Sequence, residues 1–305
     1  MASNQKVSEA LEHIEKAEKS LKTSFFKWTP DFDSAAHEYE KAAVCYKNAK
    51  SPADARKMYI KAADCHRNCQ ALFHAAKDYK QAGFICKDLK KYDECVDLIK
   101  KAAFMYREHG APDTAAITLE KAAKTMETVN TNVAVDLYME AADIVMVDER
   151  LRQAVDSLSK ASRLLVRNRD FQKALEVMKK ELDMYVELEQ EGKIHKCIAI
   201  QILIHLHRGD WVAADQAHKT AMGYIGYAQS EVSLLLQELI EAYDQQDPDK
   251  ASELLYNPYF THLDNDYVKL ARTLRVPGYG GGGAGGGGGG GEQQEEEDEY
   301  AGGLC

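Results

Sequence analysis

Nothing in this chain of 305 residues is apolar for long enough to span a bilayer; the longest run, Cys197 to Leu206, stops far short. Alternating β-branched segments are missing too, which decides against a mixed fold. Basic charge is in deficit. The net charge of −10 argues against a nucleic-acid partner, and residues 292–305 hold six acids and no base. The N-terminus opens polar, without the apolar core of a secretory signal. Seven cysteines, scattered and odd in number, suit a reducing compartment, and the cytosol is the expected place. The chain has no nucleophile elbow, no His-Glu-x-x-His and no kinase motif set, so no catalytic residues, cofactor or small-molecule substrate are expected.

What the chain does have is one spacing repeated along most of its length: a small residue, an apolar residue four further on, and a small residue three beyond that. The instances are Ala35/Tyr39/Ala42, Ala55/Tyr59/Ala62, Ala75/Tyr79/Ala82, Cys95/Ile99/Ala102, Ala115/Leu119/Ala122, Ala134/Tyr138/Ala141, Ala154/Leu158/Ala161 and Ala174/Met178/Glu181. The step is 20 residues, with a single step of 19 between 115 and 134. Offsets of four and seven place all three residues on one helical stripe, and a fixed period of one helix plus one turn marks a solenoid. Small residues recur where neighbouring helix axes come close.

Helix boundaries accompany the repeat. Ser51-Pro52-Ala53-Asp54 reads as a cap and start, Gly110-Ala111-Pro112-Asp113 as a stop and start, and Asp247-Pro248-Asp249 as another start. The expected fold is all-α with about fourteen helices: a right-handed twisted solenoid of antiparallel, TPR-like hairpins over residues 1–190, then a C-terminal helical bundle over 191–277. From Gly278 to Gly291 only Tyr279 and Ala284 interrupt glycine, so residues 278–305 should form a flexible linker and acidic tail.

Two groups invite a metal: Cys65/His66/Cys69, and His195/Cys197 with His205/His207. Neither has the spacing of a closed zinc site, and the plainer reading is helix residues packed in or near the core, so no metal is expected. The second group would fit an enzyme subunit, a competing class. The segment Thr23 to Phe32 holds four aromatics, Phe25, Phe26, Trp28 and Phe32. They form either a finger exposed to a membrane or partner, or a staple holding the loop to the first hairpin. Glu241, Asp244, Asp247, Asp249 and Glu253 offer a negative face, or merely a solvated one.

Together these features resemble the soluble NSF attachment proteins. The resemblance is carried by Ala17-Glu18-Lys19, the Phe25-Phe26 loop, Tyr39-Glu40-Lys41-Ala42-Ala43, Ala75-Ala76-Lys77-Asp78-Tyr79 with Ala82-Gly83, and Ala161-Ser162-Arg163-Leu164-Leu165. It continues through Tyr243-Asp244-Gln245-Gln246, Asp264-Asn265-Asp266-Tyr267 and the acidic tail ending Gly303-Leu304-Cys305. It implies a non-enzymatic adaptor that grips the SNARE four-helix bundle, of syntaxin type, and recruits the hexameric ATPase NSF to take the bundle apart. By the same resemblance, Phe25, Phe26 and Trp28 touch the membrane, Lys87 and Lys160 face the SNAREs, and Glu241, Asp244 and Leu304 engage NSF. Asp88, Ile117 and Asp156 stand where the family carries bases, and Gln245 where it carries an acid. The implied location is cytoplasmic, peripheral to Golgi, endosomal and vesicle membranes. A generic peptide-binding scaffold would share the solenoid but have no use for Phe25-Phe26 or Leu304.

Overall fold

The computed structural model describes residues 2–23, 28–147 and 150–276. Phe25, Phe26, the glycine tract, the acidic tail and Leu304 lie outside them. Among the described residues there are fifteen α-helices, one more than expected, and no strand.

Ten helices follow one another at close to the sequence period: α1 (Ala2–Leu21), α2 (Phe32–Asn48), α3 (Pro52–Asn68), α4 (Leu72–Asp88), α5 (Tyr92–Glu108), α6 (Pro112–Met126), α7 (Thr131–Met146), α8 (Leu151–Arg167), α9 (Phe171–Glu187) and α10 (Glu191–His207). Each packs on the next. Every member of the eight triads is buried. A second small residue follows most triads, and at one of these, Gly83, an added Cβ would lie 3.0 Å from the Ile99 side chain. The helices approach closely because those positions carry almost no side chain.

The turns repeat as well. Lys50, Gln70, Lys90, Gly110, Arg169, Glu189 and Gly209 each stand two residues past a helix end, at φ between 53° and 83°. The following residue's N–H reaches back to a carbonyl in the helix's last turn, as Ser51 does to Tyr46 at 2.9 Å and Ala111 to Tyr106 at 2.8 Å. This left-handed cap satisfies otherwise orphaned carbonyls and fixes the angle at which the next helix leaves. The single step of 19 falls at the turn between α6 and α7. There Asn130 caps α7 through Val133 N–H at 3.3 Å, and no residue is left-handed. At the other end of the repeat, α2 begins at Phe32: Asp31 is its cap and accepts from Ser34 N–H at 3.0 Å.

Ion pairs join every second helix, so the stack has two layers. Glu18 of α1 meets Lys61 of α3 at 4.0 Å, and Lys100 of α5 meets Glu140 of α7 at 3.1 Å. In the even layer Glu40 of α2 meets Lys77 of α4 at 3.8 Å, and Glu120 of α6 meets Lys160 of α8 at 3.1 Å. Such half-exposed pairs add little stability but report the packing order.

The remaining helices are α11 (Trp211–Ala221), α12 (Glu231–Asp244), α13 (Pro248–Leu255), α14 (Pro258–Thr261) and α15 (Asn265–Arg272). They do not simply extend the stack. α15 folds back onto α8 and α10. Lys196 of α10 pairs with Asp264 at 2.5 Å and lies over the Tyr267 ring, and the His207 imidazole donates to the Leu270 carbonyl at 2.6 Å. Glu181 sits where the eighth triad departs from a small residue. It is buried beneath this junction and accepts from the Ser162 hydroxyl at 2.8 Å.

If close approach at the small positions holds the stack together, Ala115→Leu must overpack the contacts of α6. A loss of about 1–3 kcal/mol in chemical denaturation is expected. No loss would mean that α6 is not closely approached at Ala115.

Candidate functional site

Lys87 lies in the last turn of α4, and the left-handed turn after it presents Lys90. Two helices later in sequence, but next in the even layer, α6 carries Lys121 and Lys124. These four lysines are exposed and, with Phe84 and Val129, line an open groove of about 680 Å³. Asp88 is the single acid on its wall. Among the described residues none of the four ammonium groups holds an ion pair. Unpaired like charges around an apolar floor attract an acidic surface that also offers apolar contact.

Lys160 is placed differently. Its ammonium pairs with Glu120 and lies 5.6 Å from the centre of the Tyr138 ring. Glu120 also accepts from the Ser157 hydroxyl, and Tyr138 donates to Glu127 at 2.7 Å. Arg163, one turn on, lies 3.5 Å from Asp266 of α15. The even layer is therefore strongly basic between α4 and α6, and internally neutralised between α6 and α8. Asp88, Ile117 and Asp156 are all exposed on these helices.

Glu241 and Asp244 are exposed one turn apart on α12, with Gln237 donating to Glu241 at 2.9 Å. Leu234, 61% exposed, lies on the same helical face. Asp247 is committed as the cap of α13, accepting from Lys250 N–H at 3.0 Å, while Lys250 also meets Glu238 at 3.5 Å. Of the four aromatics in the segment from Thr23 to Phe32, two are described: Trp28 is 84% exposed, whereas Phe32 opens α2 and packs, partly buried, against the core.

The two groups weighed as metal sites, Cys65/His66/Cys69 and His195/Cys197 with His205/His207, do not bring their ligand atoms together among the described residues. The Cys69 thiol donates to the His66 carbonyl at 3.3 Å, and burial pushes the Cys65 thiol up to about 11. The His66 ring turns instead to Asp78 of α4, Nδ1 to carboxylate at 2.9 Å, with both residues buried. Burial, opposed by His66, lifts the Asp78 carboxyl to about 6. His66 Nε2 and Asp78 Oδ1 are buried without a hydrogen-bond partner, which costs about 1–3 kcal/mol for each such group. Around α10, Cys197 points at the Met178 carbonyl, His195 packs on Tyr227, and His207 is held by Leu270.

The fold is that of a helical-repeat scaffold, and no helix among the described residues is long and apolar enough to cross a membrane. Residues 8–270 match the family model for soluble NSF attachment protein, SNAP, and the chain belongs to that family. One relative is the gamma-soluble NSF attachment protein of Dictyostelium discoideum, 29% identical over 276 residues, which cover 90% of this chain and 85% of that one. Among solved structures, aspartyl phosphate phosphatase F from Bacillus subtilis aligns at a TM-score of 0.39 and 14% identity, covering 80% of this chain and 68% of its own. BtubC from P. vanneervenii aligns at 0.36 and 12%, covering 72% and 90%. Both structural likenesses are loose.

Glu181 supplies a pH test of the junction that holds α15. Burial raises its carboxyl above the usual range, against hydrogen bonds from Ser162 and Ser159. The folded chain then binds that proton more tightly than the unfolded chain. The associated stability is full below the unfolded pKa and is lost as pH rises through the folded value. Glu181→Gln keeps the Ser162 contact without the charge. It should raise the melting temperature at about pH 8, by roughly 2 °C for each kcal/mol relieved in a chain of this size, and by less at about pH 5. A gain that does not shrink toward acid would show that the charge is not what the junction bears.

Proposed function

We propose that this chain is an adaptor, not an enzyme, that binds assembled SNARE complexes and recruits and stimulates the NSF ATPase, which separates them during vesicle-mediated transport. Membership of the family supports the class of function, as does the name of the Dictyostelium relative. The observation that carries the SNARE side is the groove of Lys87, Lys90, Lys121 and Lys124 on the even layer. A bundle of acidic helices presents the charge and the long shallow shape such a surface accepts. Lys87 is the direct contact in this reading. Lys160, already paired, contributes less and acts after exchanging Glu120 for a partner acid.

In this reading residues 1–190 grip, residues 191–277 present the acidic face, and residues 278–305 tether Leu304. Glu241 and Asp244, beside exposed Leu234, face the basic surface of the NSF hexamer. Leu304 enters an apolar pocket of NSF and promotes its cycle. One buried leucine supplies roughly 1.5–3 kcal/mol, enough to bias a conformational equilibrium but not to hold a complex by itself. Phe25 and Phe26, with Trp28, give a weak peripheral membrane contact.

The test reverses the groove. Lys87→Glu, Lys121→Glu and Lys124→Glu together should weaken capture of the SNARE complex at least tenfold, by about 1.4 kcal/mol or more, with an unchanged melting temperature. Lys160→Met alone should cost less than threefold, about 0.6 kcal/mol. Unchanged SNARE capture by the triple variant would remove the groove from the interface.

A further inference from the structure

We propose that Asp33, His37 and His66 form a binding site for one divalent transition-metal ion of the zinc type, clamping the start of α2 to the end of α3. One ligand atom from each of the three lies within 4.8 Å of the others. His66 is fully buried, its Nδ1 is taken by Asp78 at 2.9 Å, and its Nε2 has no hydrogen-bond partner. His37 repeats the pattern. Its Nδ1 lies 3.3 Å from Glu40 and its Nε2 3.8 Å from Asp33 Oδ1. The two rings meet edge to face, 5.6 Å between centres.

A carboxylate behind each imidazole is the arrangement that orients metal-binding histidines. It places the ring proton on Nδ1 and leaves the Nε2 lone pair for the ion. Two imidazoles and one carboxylate suit zinc and its neighbours, whereas magnesium and calcium prefer all-oxygen sets. Ligand atoms around a tetrahedral zinc stand about 3.3 Å apart, so the widest separation must contract by about 1.5 Å. Asp33 and His37 are exposed in the first turns of α2 and can supply that by side-chain rotation, while His66 stays anchored in the core. Three protein ligands leave a fourth position for water, as in open zinc sites. The groove beside it is lined by His37, Glu40 and Asp78, with Lys41 and Lys77 as its cations.

The site has a position to act from. Asp33 follows the connection between α1 and α2, whose two ends are tied together at its base where Asp31 N–H meets the Ser20 carbonyl at 3.1 Å. An ion held by Asp33 and His66 fastens the base of that connection to the solenoid.

The experiment uses the full chain, stripped with a chelator and kept reduced by a phosphine. Zinc chloride alone is titrated by calorimetry, and cobalt(II) alone by visible absorption. One equivalent of zinc should bind with micromolar or tighter affinity, raise the melting temperature, and be replaced by cobalt with the visible bands of a four-coordinate ion. His37→Ala and Asp33→Ala are surface changes that leave the metal-free melting temperature intact; each should weaken binding at least tenfold. Glu40→Gln, behind His37, should weaken it by about tenfold. A Cys45→Ser, Cys69→Ser variant should bind as the parent does. No stoichiometric binding, or binding unmoved by His37→Ala and Asp33→Ala, would overturn the proposal. So would binding lost with the cysteines.

Discussion

The structure depends on how closely consecutive helices approach. Alanine at both ends of six of the eight triads lets one backbone come up against the next, and the tyrosine, leucine, isoleucine or methionine between fills the space. Gly83 against Ile99 marks one such approach. Once that separation is fixed, the left-handed turn at Lys50, Gln70, Lys90 and their successors sets the direction of each departing helix. Repetition of one contact and one turn then makes two layers, with every second helix alongside. The lysines of α4 and α6 share a groove only because of this layering.

The same constraint explains where the repeat ends. Position 181 calls for a small residue and carries glutamate. That is affordable only where Ser162 and the returning α15 supply polar partners: Tyr267 lies 3.5 Å from the Ser162 hydroxyl, above Glu181. With Lys196–Asp264 and Arg163–Asp266, these contacts position the C-terminal helices on the solenoid. The acids of α12 are thereby carried on a body whose attachment is polar as well as apolar, and a buried polar network of this kind fixes one geometry.

Much of the fold was legible in the sequence, because triads at offsets four and seven and the Pro52, Pro112 and Pro248 starts are local signals. Of the left-handed turns only Gly110 was read; Gly209 offered the same signal, whereas a lysine, arginine, glutamine or glutamate gives no sign that its backbone is left-handed. The return of α15 onto α8 was not legible at all: Ser162 and Tyr267 are far apart in the chain. The site shows the same division. Lys87, Glu241 and Asp244 were reached through the family resemblance, and the structure finds all three exposed. Lys90, Lys121 and Lys124 were missed because a groove between alternate helices has no sequence spacing of its own; its only local sign is that lysines fall in the last turns of both α4 and α6 and in the turn after α4. His66 was considered with its neighbours Cys65 and Cys69, whereas its partners come from α2 and α4, brought in by packing.

In the proposed function the even layer between α4 and α6 meets the SNARE bundle, and α12 meets NSF. Hydrogen exchange on the full chain reads both at once. Addition of a SNARE complex should slow exchange in residues 84–92 and 117–129, and later addition of NSF with a non-hydrolysable nucleotide should extend the slowing to residues 231–256. Slowing confined to the odd helices α3, α5 and α7, or none in residues 84–129 when SNAREs bind, would remove α4 and α6 from the SNARE interface.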